Sequence, residues 1–180
     1  MQAINTAIRA GTVRAGAPAD SRMLRRCLGS FPTGVAVVTA LGDRGDPIGV
    51  TVNSFASVSL DPPLVLWSQA QSSPTHASFL QAGAMIINIL ADDQADLSVQ
   101  FSRPVPDRFH GVECVPGLAG VPMLQGCAAT LQCSVADRYY GGDHIIFLCR
   151  VEHYQSHEKR PLIFSKGSYL KIPPESPPSH

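Results

Sequence analysis

Two apolar runs joined by a Gly/Asp turn make up "GVAVVTALGDRGDPIGVTVNS" (34–54), which reads as two strands in a hairpin. A third strand, "PLVLWSQ", follows the Pro62-Pro63 break, and "AMIINIL" is a buried strand. "CAATLQCSVADRYYGGDHIIFLCRVEHY" is a long hairpin turning near Gly141-Gly142, and "PLIFSKGSYLKI" is a last strand. Between these runs the spacing changes to that of helices. "DSRMLRRCLGSF" places Met23, Leu24, Cys27 and Leu28 on one face behind a cap at Asp20 or Ser21. "SSPTHASFLQAG" predicts a compact helix with Ser73 as N-cap, Pro74 at its first position and Gly83 ending it. "DDQADLSVQF" predicts another, capped by Asp92 or Asp93, and a long loop broken by four prolines runs from Ser102 to about Leu124.

Seven or so strands, mostly linked by hairpins and interrupted by short helices, make the fold mainly β: an antiparallel barrel with short helices. A doubly wound parallel sheet would need a helix after nearly every strand, and neither a GxGxxG nor a P-loop sequence occurs. The pattern divides the chain into an N-terminal tail (1–20), one barrel domain (21–171) and a C-terminal tail (172–180), with no internal repeat.

Composition narrows the partners. With 14 basic and 14 acidic residues among 180, nothing in the charge balance favours nucleic acid or an anionic membrane. No apolar run reaches the roughly 18 residues of a membrane span. The five cysteines are odd in number and show no CxxC spacing, which reads as reduced thiols in a cytoplasmic protein. His153 and His157 are four apart without a third ligand nearby in sequence, so no metal site is expected.

The candidate chemistry begins in "GVTVNSFASVSLDPP" (49–63), whose polar positions carry Thr, Asn and Ser but no charge until Asp61. Period two places Gly49, Thr51 and Asn53 on one face, and Ser54, Ser57 and Ser59 extend the supply of hydroxyls. Such groups suit a phosphate or a heterocycle edge, or equally the backbone of neighbouring segments. In "QSSPTH", Ser72, Ser73 and Thr75 surround a helix start, a place for an anion or for plain capping. His144 in "GGDH" stands beside a glycine turn, either solvated or leaning over a ligand with a charge that changes near neutral pH. No GxSxG or catalytic-cysteine signature is present.

Taken in order, "FPTGVAVVTA", "GVTVNSFASVSLDPPLVL", "SSPTHASFL", "INIL…DQADLSVQFS", "DRF", "GDHIIFLCRV" and "PLIFSKGSYL" resemble the flavin reductase-like proteins, the small reductase partners of two-component flavin-dependent monooxygenases. The resemblance runs from about Leu28 to Leu170. It implies an antiparallel Greek-key FMN-binding split barrel, usually a homodimer, using FMN or FAD with NADH or NADPH. It implies flavin contacts from Thr51, Val52, Asn53, Ser54 and Ser57, and from Ser72, Ser73 and Thr75. Pro32, Thr33, Val35 and His144 would lie toward the nicotinamide; Phe101, Arg103, Arg108 and Phe109 are further positions near the cofactor. His144 would position the nicotinamide or support charge on reduced flavin, and reduced flavin would diffuse to a separate monooxygenase. Trp67 stands where the family pattern has something smaller, leaving open whether its ring faces flavin or core. Two other readings remain open at this point: a flavin-storage module without turnover, and a split-barrel enzyme related to pyridoxamine-phosphate oxidases or haem-handling proteins.

Overall fold

The computed structural model describes residues 20–105 and 107–173; most of the two expected tails lies outside them. In chain order the elements are α1 (Ser21–Leu28), β1 (Thr33–Gly34), β2 (Ala36–Leu41), β3 (Pro47–Val52), β4 (Ala56–Leu60), β5 (Pro63–Ala70), α2 (His76–Gln81) and β6 (Ala84–Ile89). There follow α3 (Ala95–Ser102), β7 (Cys114–Pro116), a 3-10 turn (Leu118–Gly120), β8 (Pro122–Leu124), β9 (Ala129–Gly141), β10 (His144–Ser156), β11 (Ile163–Ser165) and β12 (Ser168–Leu170).

Seven strands pair antiparallel in the order β3-β2-β6-β9-β10-β5-β4. Laid flat, the edges β3 and β4 would be about 29 Å apart at the usual strand spacing. Yet Val52 ends one edge and Ala56 begins the other, and that stretch of chain reaches at most about 14 Å. The sheet therefore curls into a barrel. Ser54 sits on the closing seam, where its hydroxyl donates to Ser68 O (2.8 Å) and accepts from Ser68 N (3.0 Å) on β5.

Apolar alternation sorts the core into two clusters. Val38 and Ala40 of β2 point into the barrel with Trp67, Phe79, Met85, Ile87, Ile145 and Phe147. Val35 and Val37 point the other way and meet Leu90, Phe101, Leu124 and Leu162. Burial on both faces is why β2 reads as an unbroken apolar run. The Trp67 ring, fully buried, lies stacked 4.6 Å from Phe147 and edge-on to Phe79, so it faces the core.

Several local expectations change. Asp20 caps α1 as predicted, accepting from Arg22 N and Met23 N, but none of the helix is buried and its apolar face stands exposed. Ser73 does not cap α2, whose N-cap is Thr75, and the helix ends at Gln81, before Gly83. Asp92 and Asp93 do not cap α3, whose N-cap is Gln94. Both acids are held by a passing strap instead: Asp92 pairs with Arg160 (3.0 Å) and Asp93 with Lys159 (3.5 Å). The proline-rich loop contains the β7–β8 hairpin, and the last strand is itself a hairpin, β11–β12, turning at Lys166-Gly167. The "PLVLWSQ" strand does begin at the Pro62-Pro63 break, as β5, but β4 precedes it and pairs with it.

Candidate functional site

The C-terminal half of β5, "SQAQ", gathers three of the sequence motifs. Ser68 is bonded to Ser54 of the 49–63 stretch. Gln69, buried on the inward face after Val65 and Trp67, donates to Ser73 Oγ (3.3 Å) and Thr75 Oγ1 (3.0 Å), which are themselves 3.1 Å apart. Ala70 is the register partner of His144. Gln71 then fastens the glycine turn: its backbone N donates to Asp143 O (2.9 Å) and its side chain to Gly142 O (2.9 Å). Four consecutive residues, 68 to 71, thus tie the seam, the Ser/Thr turn and the turn before His144 to one end of β5.

His144 Nδ1 lies 2.7 Å from Asp143 Oδ1, and its side chain is 42% exposed. The bond and charge of His144 hold the Asp143 carboxylate below its ordinary range, with a smaller contribution from Arg25 of α1. A carboxylate on Nδ1 orients the ring and leaves Nε2 for another partner.

A cavity of about 1410 Å³ opens at Asn53, next to Ser54 of the seam, between α1, Phe31, Thr33 and the β11–β12 turn. Of the predicted residues, Thr33 and Asn53 line it. Pro32, Ser57 and Ser72 are exposed, and Ser73 and Thr75 are half-buried in the turn. Val35 and Val52 are buried, so their side chains serve packing.

Thr51 does not offer its hydroxyl to the cavity. It donates to Ser98 O of α3 at 2.6 Å, and Gly49 lies under Phe101 and Phe109. The uncharged face of β3 is uncharged there because a helix lies on it. Phe101 is fully buried and meets Phe109 edge-on at 5.0 Å. Arg108 donates to Gly49 O (2.7 Å) and to Arg103 O (2.9 Å), which ties it to β3; Arg103 is exposed. None of these four residues lines the cavity.

Sequence reasoning missed Gln69, Gln71 and Asp143. The signal for Gln69 was a lone amide in the inward series Val65, Trp67, Gln69 of an otherwise apolar strand face.

Polar groups at this site fit an uncharged, multi-acceptor ring system with a phosphate. Thr33 Oγ1, Gln69 Oε1 and His76 Nδ1 are buried without a hydrogen-bond partner, an arrangement that native interiors rarely leave unanswered. No cluster of three or more metal-ligating side chains occurs among the described residues.

Residues 28–173 match the family model described as Flavin reductase like domain. The chain is 45% identical over 150 residues to FMN reductase (NADH) SmoA of Agrobacterium fabrum, covering 83% of this chain and 85% of that protein. It is 37% identical to the flavin-dependent monooxygenase reductase subunit HsaB of Rhodococcus jostii, covering 87% and 80%. The NADH:FAD oxidoreductase SgcE6 of Streptomyces globisporus C-1027, solved with NAD and FAD fragments, superposes with a TM-score of 0.84 at 35% identity, over 92% of this chain and all of that one. Against two Rhizobium meliloti relatives, one of them the stachydrine N-demethylase reductase subunit Stc3, the chain spans 49% and 66% of their length.

Proposed function

The chain belongs to the Flavin reductase like domain family, and from that premise we propose that it is an NAD(P)H-dependent flavin reductase that supplies reduced FMN or FAD to a separate monooxygenase. The observation that carries this reading is the gathering of Ser54, Ser73, Thr75 and His144 along the end of β5, beside a cavity lined by Thr33 and Asn53. Bound flavin would supply the two-electron acceptor for hydride from a reduced nicotinamide. The chain's own part is to bind and orient. Asn53 and the Ser73–Thr75 turn would hold the flavin through uncharged donors and acceptors, and Thr33 would face the same space. His144, oriented by Asp143, would direct Nε2 at the nicotinamide carboxamide or at the flavin edge. No side-chain nucleophile is needed, because the enzyme contributes proximity and orientation.

The names of HsaB and Stc3 as reductase subunits support a separate oxygenase as the consumer of the product. A homodimer is supported by β4, a sheet edge whose Leu60 is 94% and Val58 48% exposed; such an edge favours pairing with another chain. Among the described residues no helix is long and apolar enough to cross a membrane.

The test mixes purified protein with NADH or NADPH and free FMN or FAD and follows loss of nicotinamide absorbance. Loss that depends on added flavin supports the reductase. Flavin binding with no nicotinamide loss under any of the four pairs refutes turnover and leaves a storage module.

A further inference from the structure

The chain as a whole is neutral, yet the wall of the cavity beside Thr33 and Asn53 is not. Arg22, Arg25 and Arg26 of α1 and Lys166 of the β11–β12 turn all line it, and Asp20 is the one carboxylate among the described lining residues. Asp20 is already engaged as the α1 cap, with Oδ1 accepting from Arg22 N (2.9 Å) and Met23 N (3.4 Å). None of the four cations forms an ion pair among the described residues, whereas Lys159 and Arg160 on the strap both do. Among the described residues only Arg25 acts on an acid besides, the Asp143 carboxylate at a distance; clustered like charges without close counter-ions repel one another, and a low-dielectric wall focuses their field into the cleft.

Two features show that the cluster is built into the fold. Lys166 N donates to Gly29 O at 2.9 Å, which ties the turn to the C-cap of α1 and fixes the two cation-bearing elements to each other. Lys166 also adopts φ 49° ahead of Gly167 at φ 82°, a two-residue hairpin turn whose first position Asn or Gly fills with less strain. A lysine there places an ammonium group on the cavity at some conformational cost. The same wall also carries apolar groups, Met23, Leu28, Phe31 and Phe164, with Phe31 76% exposed.

A cavity lined by both cations and aromatic and aliphatic groups suits an anion joined to a flat ring. The volume, about 1410 Å³, exceeds the roughly 300–1,000 Å³ of a pocket for one small ligand. Resting on the reductase reading, we propose that α1 and the β11–β12 turn form an anion clamp for the diphosphate of an adenine dinucleotide, with Phe31 and Phe164 under its adenosine end. The shared chemistry is the diphosphate, which FAD and NADH both carry. Bidentate guanidinium groups match its oxygens, and the lysine acts as a point charge. The clamp thereby favours dinucleotides over FMN or a nicotinamide mononucleotide.

The test uses the full chain and the triple variant Arg25→Gln/Arg26→Gln/Lys166→Asn, which keeps helix propensity in α1 and suits the left-handed turn position. Thermal melting checks that the variant folds. Dissociation constants for riboflavin, FMN and FAD are read by quenching of flavin fluorescence, apart from any turnover. In a separate arm, KM is compared for NADH and reduced nicotinamide mononucleotide. The expected result is affinity loss that grows from riboflavin through FMN to FAD, tenfold or more for FAD, and that shrinks as salt is raised. Loss confined to FAD assigns the clamp to the flavin, and a KM rise confined to NADH assigns it to the hydride donor. Dissociation constants and KM values all within twofold of the unsubstituted protein overturn the proposal. A protein that binds FAD through these residues but oxidises no nicotinamide keeps the clamp and sinks the reductase reading, so the two fail separately.

Discussion

A methyl group at position 49 would sit 2.5 Å from Phe101 Cε1 and 2.7 Å from Cδ1. The ring belongs to a packed cluster and is fully buried, so β3 and α3 must part to admit it. Gly49→Ala should therefore destabilise the protein by about 1–3 kcal/mol, the usual cost of overpacking, read as a lower urea midpoint with unchanged slope. His144 belongs to the opposite kind of residue, half-exposed and oriented by a single carboxylate. His144→Ala should slow single-turnover reduction of flavin by NADH about tenfold or more, through lost positioning, while the flavin dissociation constant stays put; unchanged reduction would remove the role. Side by side, these positions show what a residue pattern reveals. The run Gly49, Thr51, Asn53 was legible as an uncharged face. What lies on it was not, because the partner of Thr51 is Ser98, 47 residues away. Asn53 remains on the cavity, while the other two meet α3.

The three helices contribute very differently to stability. Phe79 of α2 is fully buried and meets Trp67 edge-on, whereas Leu24 of α1 is 50% exposed on a helix with no buried residue. Phe79→Ala should lose about 3–5 kcal/mol, and Leu24→Ala less than about 0.5 kcal/mol, measured by equilibrium denaturation of each. Equal losses would mean that α1 packs on the molecule after all. The helix starts also show why capping was misread. "DDQ" offers two good caps, yet Asp92 and Asp93 face Arg160 and Lys159 of a strap nearly seventy residues on. Gln94 bridges instead, accepting from Ala91 N and donating to Gln125 O. Long-range ion pairs took the residues that local rules assign to the helix. The short β7–β8 hairpin was hidden for a related reason. It is pinned from outside by buried Asn88, whose Oδ1 accepts from Leu124 N (2.9 Å), and by Thr39, which donates to Pro122 O (2.6 Å). Its own proline-rich sequence carries little of that information.

For the whole molecule, the hairpins and their alternation made the antiparallel barrel readable, because each is a local pattern. Where the barrel closes was not, since the seam follows from Val52 and Ala56 lying on opposite edges of one sheet. One consequence of the closed interior concerns its thiols. Burial raises Cys149 to about 12 and Cys127 to about 11, and pushes Cys133 up further, from a usual value of 9.0. Cys133 and Cys149 lie in the barrel cluster and Cys127 in the second one. The unfolded chain would release these protons near its ordinary thiol value, while the folded chain holds them. Below that value both states are protonated and the groups contribute their full share of stability. As pH rises past it, only the unfolded state gains from ionisation, so stability falls until the folded values are reached. The window therefore runs from about pH 9 up to about 12. Over the part up to pH 11, Cys127 alone should account for on the order of 2–3 kcal/mol. Urea midpoints taken between pH 8 and pH 11 should stay level at first and then drop, and Cys127→Ala should flatten part of that drop. A midpoint that declines equally in the variant would assign the alkaline loss to other groups. The same burial predicts that a thiol reagent at pH 8 modifies exposed Cys27 first and leaves the two barrel thiols intact until the fold opens.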